Sequence, residues 1–321
     1  MLNFLLRRLA QSLLVLLAVS LLSFLMFRYI GDPTVSLLGE DASQADRAAL
    51  LAKLGFEQPV PAQYLAYLGR VLQGEFGISY RLSRPVLELI LDRLPATLEL
   101  ALVAGSIALA GGILLGIYTA VRREGRLSRL IMTLSLLGVS LPTFLIGIGL
   151  IWLFTVQLHW LPAFGRGPTV DLGGWRSGLL SGAGWAAITM PALTLGLYKL
   201  TLIMRLVRAE MLQVLGSDYI RFGRARGLSE RRLLLGHALR NTLIPVITIT
   251  ALQLGSLIAF AVVTETVFQW PGVGLLFISS VQAVDVPVMA AFLLLVAAVF
   301  VTVNLLADLA YLLADPRLRK A

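Results

Sequence analysis

Six apolar runs of about twenty residues or more, at roughly 9–29, 96–121, 130–157, 187–206, 243–267 and 288–313, constrain this chain more than any other feature. A hydrocarbon core about 30 Å thick needs about 20 residues of helix to cross it. Backbone polar groups find no water there, so each run predicts a membrane-spanning helix. Composition agrees: 58% of the 321 residues are hydrophobic and 14% charged, against roughly 45–50% and 25% in soluble domains. The expected class is an all-α integral membrane protein. The first run follows Arg7-Arg8 and lacks a small-residue cleavage site, so it reads as an uncleaved signal-anchor helix.

Arginine and lysine outside the runs set the orientation. With both termini cytoplasmic, the inner segments carry Arg7 and Arg8; then Arg122, Arg123, Arg126 and Arg129; then eight arginines from Arg205 to Arg240; then Arg317, Arg319 and Lys320. Nine basic residues fall outside, seven of them in the long first loop counted with Arg28 at its start, beside eight acidic ones. The net charge of +9 is therefore read as topology rather than nucleic-acid binding.

The residue inventory excludes several chemistries. There is no cysteine, and the two histidines, His159 and His237, lie far apart, so neither a thiol nor a histidine-rich metal site is expected. None of the three lysines follows a glycine, so there is no Gly-Lys-Ser/Thr phosphate loop. ATP, if used, must be bound by another chain. No paired intramembrane carboxylates or nucleophile motif suggest an embedded enzyme.

Residues 30–95 are too polar to span and too long for a turn, and read as an external cap. Ser43-Gln-Ala-Asp46 predicts a helix start with Leu50, Leu51 and Leu54 as its apolar stripe and Gly55 as its stop; "EQPVP" reads as an extended connector, and Tyr64 to Leu72 as a second short helix. This region is either a lid over the helix ends or a surface that a delivery partner touches. In the second run Ala104, Ala108, Gly112 and Gly116 recur every four residues, the pattern of a closely packed helix face. Pro142, Pro191 and Pro245 are expected to kink their runs. Ionisable residues at membrane depth mark candidate path residues: Glu99, Lys199, Glu265 and Asp308. All but Lys199 sit near a run end, where solvation is expected. "QWPGVG" at 269–274 turns at Pro271-Gly272, either dipping toward a cavity mouth or anchoring Trp270 at the interface.

Between the fourth and fifth runs lies "SDYIRFGRARGLSERRLLLGHALRNTLIP", 217–245. Asp218 to Arg226 is helix-compatible, Gly227 interrupts, and Ser229 can cap a second helix carrying Leu233, Leu234, His237, Ala238 and Leu239. Three readings fit this helix–break–helix: an interfacial lipid anchor, a plain topology determinant, or a knob docking into a soluble partner, with Gly227 allowing close approach and Leu228 an apolar contact.

The stretch "VLGSDYIRFGRARGLSERRLLLGHALRNTLIPV" resembles the cytoplasmic loop of the permease subunits of ATP-binding-cassette importers, in the dipeptide, oligopeptide and nickel branch. Nearly the whole chain shares the resemblance: "GDP" at 31–33, "LGFEQPVPAQY" at 54–64, "GEFGISY" at 74–80, "RLPATLELAL" at 93–102, "SLPTFLIG" at 140–147 and "ETVFQWPGVG" at 265–274. It is similar to the subunit type with the long first external loop. The resemblance implies a type I importer permease with six helices and both termini cytoplasmic. The external cap would cover 30–95, the permease core 96–313 with a coupling loop at about 207–242, and a short tail 314–321. It implies a coupling helix at Gly227, Leu228, Ser229, Glu230, Arg231 and Arg232 that docks on the ATPase, with Asp218, Tyr219 and Arg224 supporting the loop. Lys199, Glu265, Trp270, Pro271 and Gly272 become candidate path or gate residues. The superfamily's Glu-Ala-Ala is absent: Arg221, Phe222 and Gly223 stand there; its proline after the central glycine is replaced by Arg240, while Pro245 matches a later proline. The implied partners are a homologous permease subunit, two ATPase subunits holding ATP and magnesium, an external substrate-binding protein and the inner membrane of a bacterium or archaeon. The implied cargo is a peptide, with nickel or another small solute as the alternative within the family. A self-contained secondary transporter is the rival class, disfavoured by the lack of internal repeats or coupling residues at the midplane.

Overall fold

The computed structural model describes residues 2–30, 43–53 and 57–314. It is almost wholly helical. The elements are α1 (Leu2–Tyr29), α2 (Gln44–Lys53), α3 (Val60–Leu72), α4 (Val86–Val121), α5 (Arg126–Ser140), α6 (Thr143–Leu150) continued by a π-helical stretch (Ile151–Gln157), a hairpin of β1 (Val170–Asp171) and β2 (Arg176–Ser177), α7 (Gly182–Leu215), α8 (Asp218–Ala225), a second π-helical stretch (Arg232–Ala238) running into α9 (Leu239–Val267), α10 (Val273–Gln282) and α11 (Val286–Ala314).

Among the described residues four segments are long and apolar enough to cross a membrane: Leu6–Tyr29, Val86–Val121, Gly182–Leu215 and Val286–Leu306. The expected single run 130–157 is two helices meeting at 114°, because Leu141 and Pro142 are extended and the proline cannot donate into the preceding turn. Counted as one span, the pair makes five. The remaining run, 243–267, falls within α9, where most side chains, Pro245's included, lie outside those described. Pro95 and Pro191, by contrast, sit inside unbroken helices.

The chain forms two compact units, parted in sequence after Pro95 within α4, after Pro271, and after Val301 in α11. The first unit, 96–271 with the end of α11, packs α4 and α9 around α7. The small-residue stripe does what its spacing predicts. Ala104 and Ala108 are buried, and a Cβ on Gly112 would lie 2.7 Å from Ile203 Cγ2, on Gly116 2.6 Å from Val207 Cβ. Such proximity lets α4 and α7 gain dispersion contact along their length.

The second unit, 2–95 with Gly272–Val301, pairs α1 with α3. Helix α3 begins at Val60 rather than Tyr64, since a proline at the second position, Pro61, needs no bond to a preceding turn; the sequence had placed 57–61 in an extended connector. Tyr64 shares a 2.8 Å hydrogen bond with Ser20, Arg28 donates to Gln63 at 2.5 Å, and Phe24 stacks obliquely on Tyr64 and Tyr67. The start of α2 is as read: Ser43 Oγ accepts from Asp46 N at 3.2 Å and donates to its carboxylate at 2.7 Å. The side chains of Leu50, Leu51 and Leu54, together with Gly55, the "GDP" segment and the tail from 315, lie outside the described residues.

Candidate docking loop and translocation path

Helix α8 ends in a complete Schellman motif. Gly227 takes φ +79°, its N–H donates to Arg224 O at 3.0 Å, and Leu228 N–H donates to Gly223 O at 3.2 Å. Helix resumes at Glu230, leaving Ser229 in the capping position. Across the turn Arg224 grips Glu230 in a bidentate pair, Nε to Oε1 at 2.6 Å and Nη2 to Oε2 at 3.1 Å. The hydrogen bond from Arg224 holds the Glu230 carboxyl below the usual carboxylate range and raises Arg224 in turn. Asn241 donates to the Tyr219 hydroxyl at 2.7 Å, and Asp218 lies 3.8 Å from Arg221. Below the turn, Ile220 and Leu233 are fully buried beside Val207, Met211 and Ala238. The loop is thus a rigid corner bolted to α7 and α9.

Glu230, Arg231 and Arg232 are exposed, as are Gly227 and Ser229. Leu228 instead packs inward against the core beneath the loop. The exposed apolar surface comes from Phe222 at 64%, Leu235 at 61% and Tyr219 at 45%, with Arg226 stacked over the Phe222 ring. Sequence reasoning passed over Phe222, because its helical phase relative to Ile220 decides its exposure only once α8 has been docked.

The candidate path residues lie deeper than expected. Lys199 is 6% exposed in mid-α7, its ammonium 5.4 Å from the Phe260 ring and 5.5 Å from that of Tyr198. Glu265 is fully buried and accepts from Thr97 Oγ1 at 2.6 Å. Trp270 is 1% exposed, its indole N–H donating to Ala96 O at 3.0 Å, so it anchors α9 to α4 rather than an interface. The turn in "QWPGVG" falls at Gln269, φ +47°, with Trp270 N–H bonded to Glu265 O at 2.8 Å. Gly272 is extended and leads into α10, where it is buried; Pro271 is half-buried.

The solvated environment expected for Glu99 is absent. Glu99 is 2% exposed and Arg166, from the loop after the first π-helix, 7%. Their ion pair is 2.5 Å long, with further bonds to Glu99 from the Trp175 indole and Gly178 N–H, both at 3.2 Å. The carboxylate clamps the hairpin loop onto α4. A lone glutamate in an apolar run was the available signal, since burial demands a cation, but the sequence does not say which arginine supplies it. In the second unit Asp285, 1% exposed, accepts from Ser79 Oγ at 2.5 Å and from the Tyr80 and Arg81 backbones. Among the described residues no group of acids and histidines could hold a metal ion. The Asp308 side chain lies outside them.

A membrane helix bundle with a rigid exposed corner suits a subunit driven from outside itself. Residues 112–320 match the family described as "Binding-protein-dependent transport system inner membrane component", and residues 1–101 its N-terminal counterpart. The chain belongs to this family of inner-membrane permeases. It is 40% identical to the dipeptide transport system permease protein DppB of Escherichia coli K12, covering 99% of each chain. It is also 40% identical, at the same coverage, to the di/tripeptide transport system permease protein DppB of Pseudomonas aeruginosa UCBPP-PA14. A putative peptide transport system permease protein of Brucella abortus 2308 is 37% identical over 98% of each chain. Among solved structures, a chain from inward-facing conformations of the MetNI methionine ABC transporter superposes with a TM-score of 0.55 at 17% identity, covering 71% of this chain and 96% of that one. The shared architecture is that of a type I importer permease, and the permease is a multi-pass transport subunit of the inner membrane.

Proposed function

We propose that this permease forms one half of the path of an ATP-driven importer of short peptides, pairs with a homologous permease, and docks through Gly227–Arg232 on an ATPase subunit. The peptide cargo is supported by the names of its full-length relatives. Both termini and the 216–231 corner face the cytoplasm, in keeping with the basic residues on that side. An external binding protein delivers the peptide, and ATP with magnesium is bound and hydrolysed on the partner ATPases.

The observation that carries the docking reading is the stiffness of the corner. A glycine-capped turn, a bidentate Arg224–Glu230 clasp and two buried anchors make α8 and the following helix one body with α7 and α9. Movement imposed at Gly227–Arg232 is therefore passed to the membrane helices rather than absorbed by the loop. ATPase closure biases a two-state bundle between inward and outward openings.

The cysteine-free sequence offers a clean test. A Ser229→Cys protein, co-expressed with its ATPases, should cross-link to an ATPase subunit and stay unlabelled by membrane-impermeant reagents in intact cells. Labelling from outside, or no cross-link in an assembly that transports, would overturn the docking reading. Cargo is tested separately, by measuring binding of dipeptides and of nickel to the cognate external binding protein.

A further inference from the structure

A cavity of about 420 Å³ lies where the basic connector between α4 and α5 meets α7, lined by Arg123, Arg129, Arg205, Arg208, Ser128, Met132, Thr133 and Leu136. Four of the eight lining residues are arginines and none is acidic. Arg208 Nη1 donates to Thr119 O at 2.7 Å and Arg205 Nη2 to Ser135 Oγ at 3.3 Å, so two guanidiniums are fixed in the wall. Arg205 Nε is buried without a hydrogen-bond partner. Arg123 touches Glu124 at 3.4 Å, but both side chains are largely exposed, a pair that solvent weakens. Concentrating four cations with only that exposed carboxylate beside one of them is unfavourable unless an anion joins them.

The apolar part of the lining is Met132 and Leu136, about one turn apart on α5. Leu136 is more than half exposed, so this part of the lining is open to the surroundings. The cavity sits where α4 ends at Val121 and α5 begins at Arg126, the level at which a membrane chain changes from basic to apolar. Arginines beside an exposed apolar lining match an amphiphile rather than a soluble anion, which would leave Met132 and Leu136 unused.

We propose that this cavity binds the phosphate headgroup of an anionic phospholipid, with an acyl chain leaving along Met132 and Leu136 of α5. Guanidinium forks match phosphate oxygens in geometry and charge, and basic pockets between membrane helices suit such headgroups. The lipid ties α4, α5 and α7 together beside the start of the bent α5–α6 pair. The site depends neither on the cargo nor on the docking loop.

The test uses the full permease in its purified transport assembly, stripped of lipid in detergent and titrated with phosphatidylglycerol, phosphatidylcholine, glycerol 3-phosphate or inorganic phosphate, with bound lipid read by native mass spectrometry. One phosphatidylglycerol should be retained in preference to phosphatidylcholine, and neither soluble phosphate should displace it at equal concentration. The double substitution Arg123→Gln/Arg129→Gln changes two exposed residues and should weaken retention about fivefold per arginine, roughly thirtyfold together. Arg126→Gln, an exposed arginine at the start of α5 outside the cavity lining, should leave it unchanged. Equal losses in both proteins would reduce the effect to diffuse charge and overturn the site. So would equal retention of both lipids, or displacement by free phosphate. Lipid bound to the isolated permease but absent from the assembly, with a cross-link from residue 129 to an ATPase, would replace the proposal with a protein contact.

Discussion

Replacing Gly227 separates backbone geometry from bulk at the docking corner. Its φ of +79° lies in the left-handed region, and a Cβ built there meets nothing within 4 Å. Alanine therefore loses no space within this chain, and its whole penalty is the left-handed conformation, about 1 kcal/mol; valine, branched at Cβ, costs about 2 kcal/mol. Neither unfolds a bundle whose buried core lies elsewhere, so the loss appears as depopulation of the Schellman turn, by about fivefold for alanine and thirtyfold for valine. Asparagine tolerates this region better and should fall between glycine and alanine. The assay is peptide uptake and peptide-stimulated ATP hydrolysis by the reconstituted assembly, with subunit co-purification as the control. The expected order of coupling is Gly, Asn, Ala, Val. If valine couples as well as glycine while the subunits remain assembled, the turn's conformation does not matter and the rigid-corner argument fails. If alanine and asparagine lose coupling alike and completely, the surface is occluded by bulk and the backbone account is wrong.

Three other outcomes follow from the packing. Glu99→Gln leaves Arg166 buried without its counter-charge, a loss of about 3–5 kcal/mol, so its melting temperature should fall well below that of an Arg166→Met/Glu99→Gln protein; equal melting would show the pair to be dispensable. Gly116→Val forces a side chain into Val207 and should destabilise by about 1–3 kcal/mol, whereas Gly149→Ala, with nothing within 4 Å, should fall within about 0.5 kcal/mol of the parent in chemical denaturation. Burial, and secondarily the Asp285 charge, push the Tyr80 phenol up to about 12. The raised value means that its contribution is intact below about pH 10 and is lost as pH climbs through about 12; the alkaline absorbance difference between the parent and Tyr80→Phe should reveal one phenol titrating near 12, and a midpoint near 10 would contradict the burial.

What could be read from sequence followed local rules. The runs near 9–29, 187–206 and 288–313 required only hydropathy, and the helix break at Gly227 only the one residue that enters left-handed space cheaply. The four-residue stripe from Ala104 to Gly116 carried its own explanation in size. The misjudged features depended on partners distant in sequence. Glu99 was expected to be solvated because its ligands, Arg166, Trp175 and Gly178, come from a loop that folds back to it about seventy residues later. For Trp270 the sequence left open a dip toward a cavity mouth or an interface anchor, and Ala96 O supplies the acceptor that lets the indole be buried instead. The turn after α9 was assigned to Pro271-Gly272 by residue preference, yet two hydrogen bonds back to Glu265 and Thr266 hold Gln269 in the strained conformation and leave the glycine extended. The same distinction bears on function. The Gly227 corner is legible because its turn is made within about fifteen consecutive residues, whereas the surroundings of Glu265 and Trp270 are assembled from distant helices, and their burial makes them structural supports. The residues to vary when searching for peptide contacts are then the exposed ones beside Lys199, namely Tyr198 and Phe260.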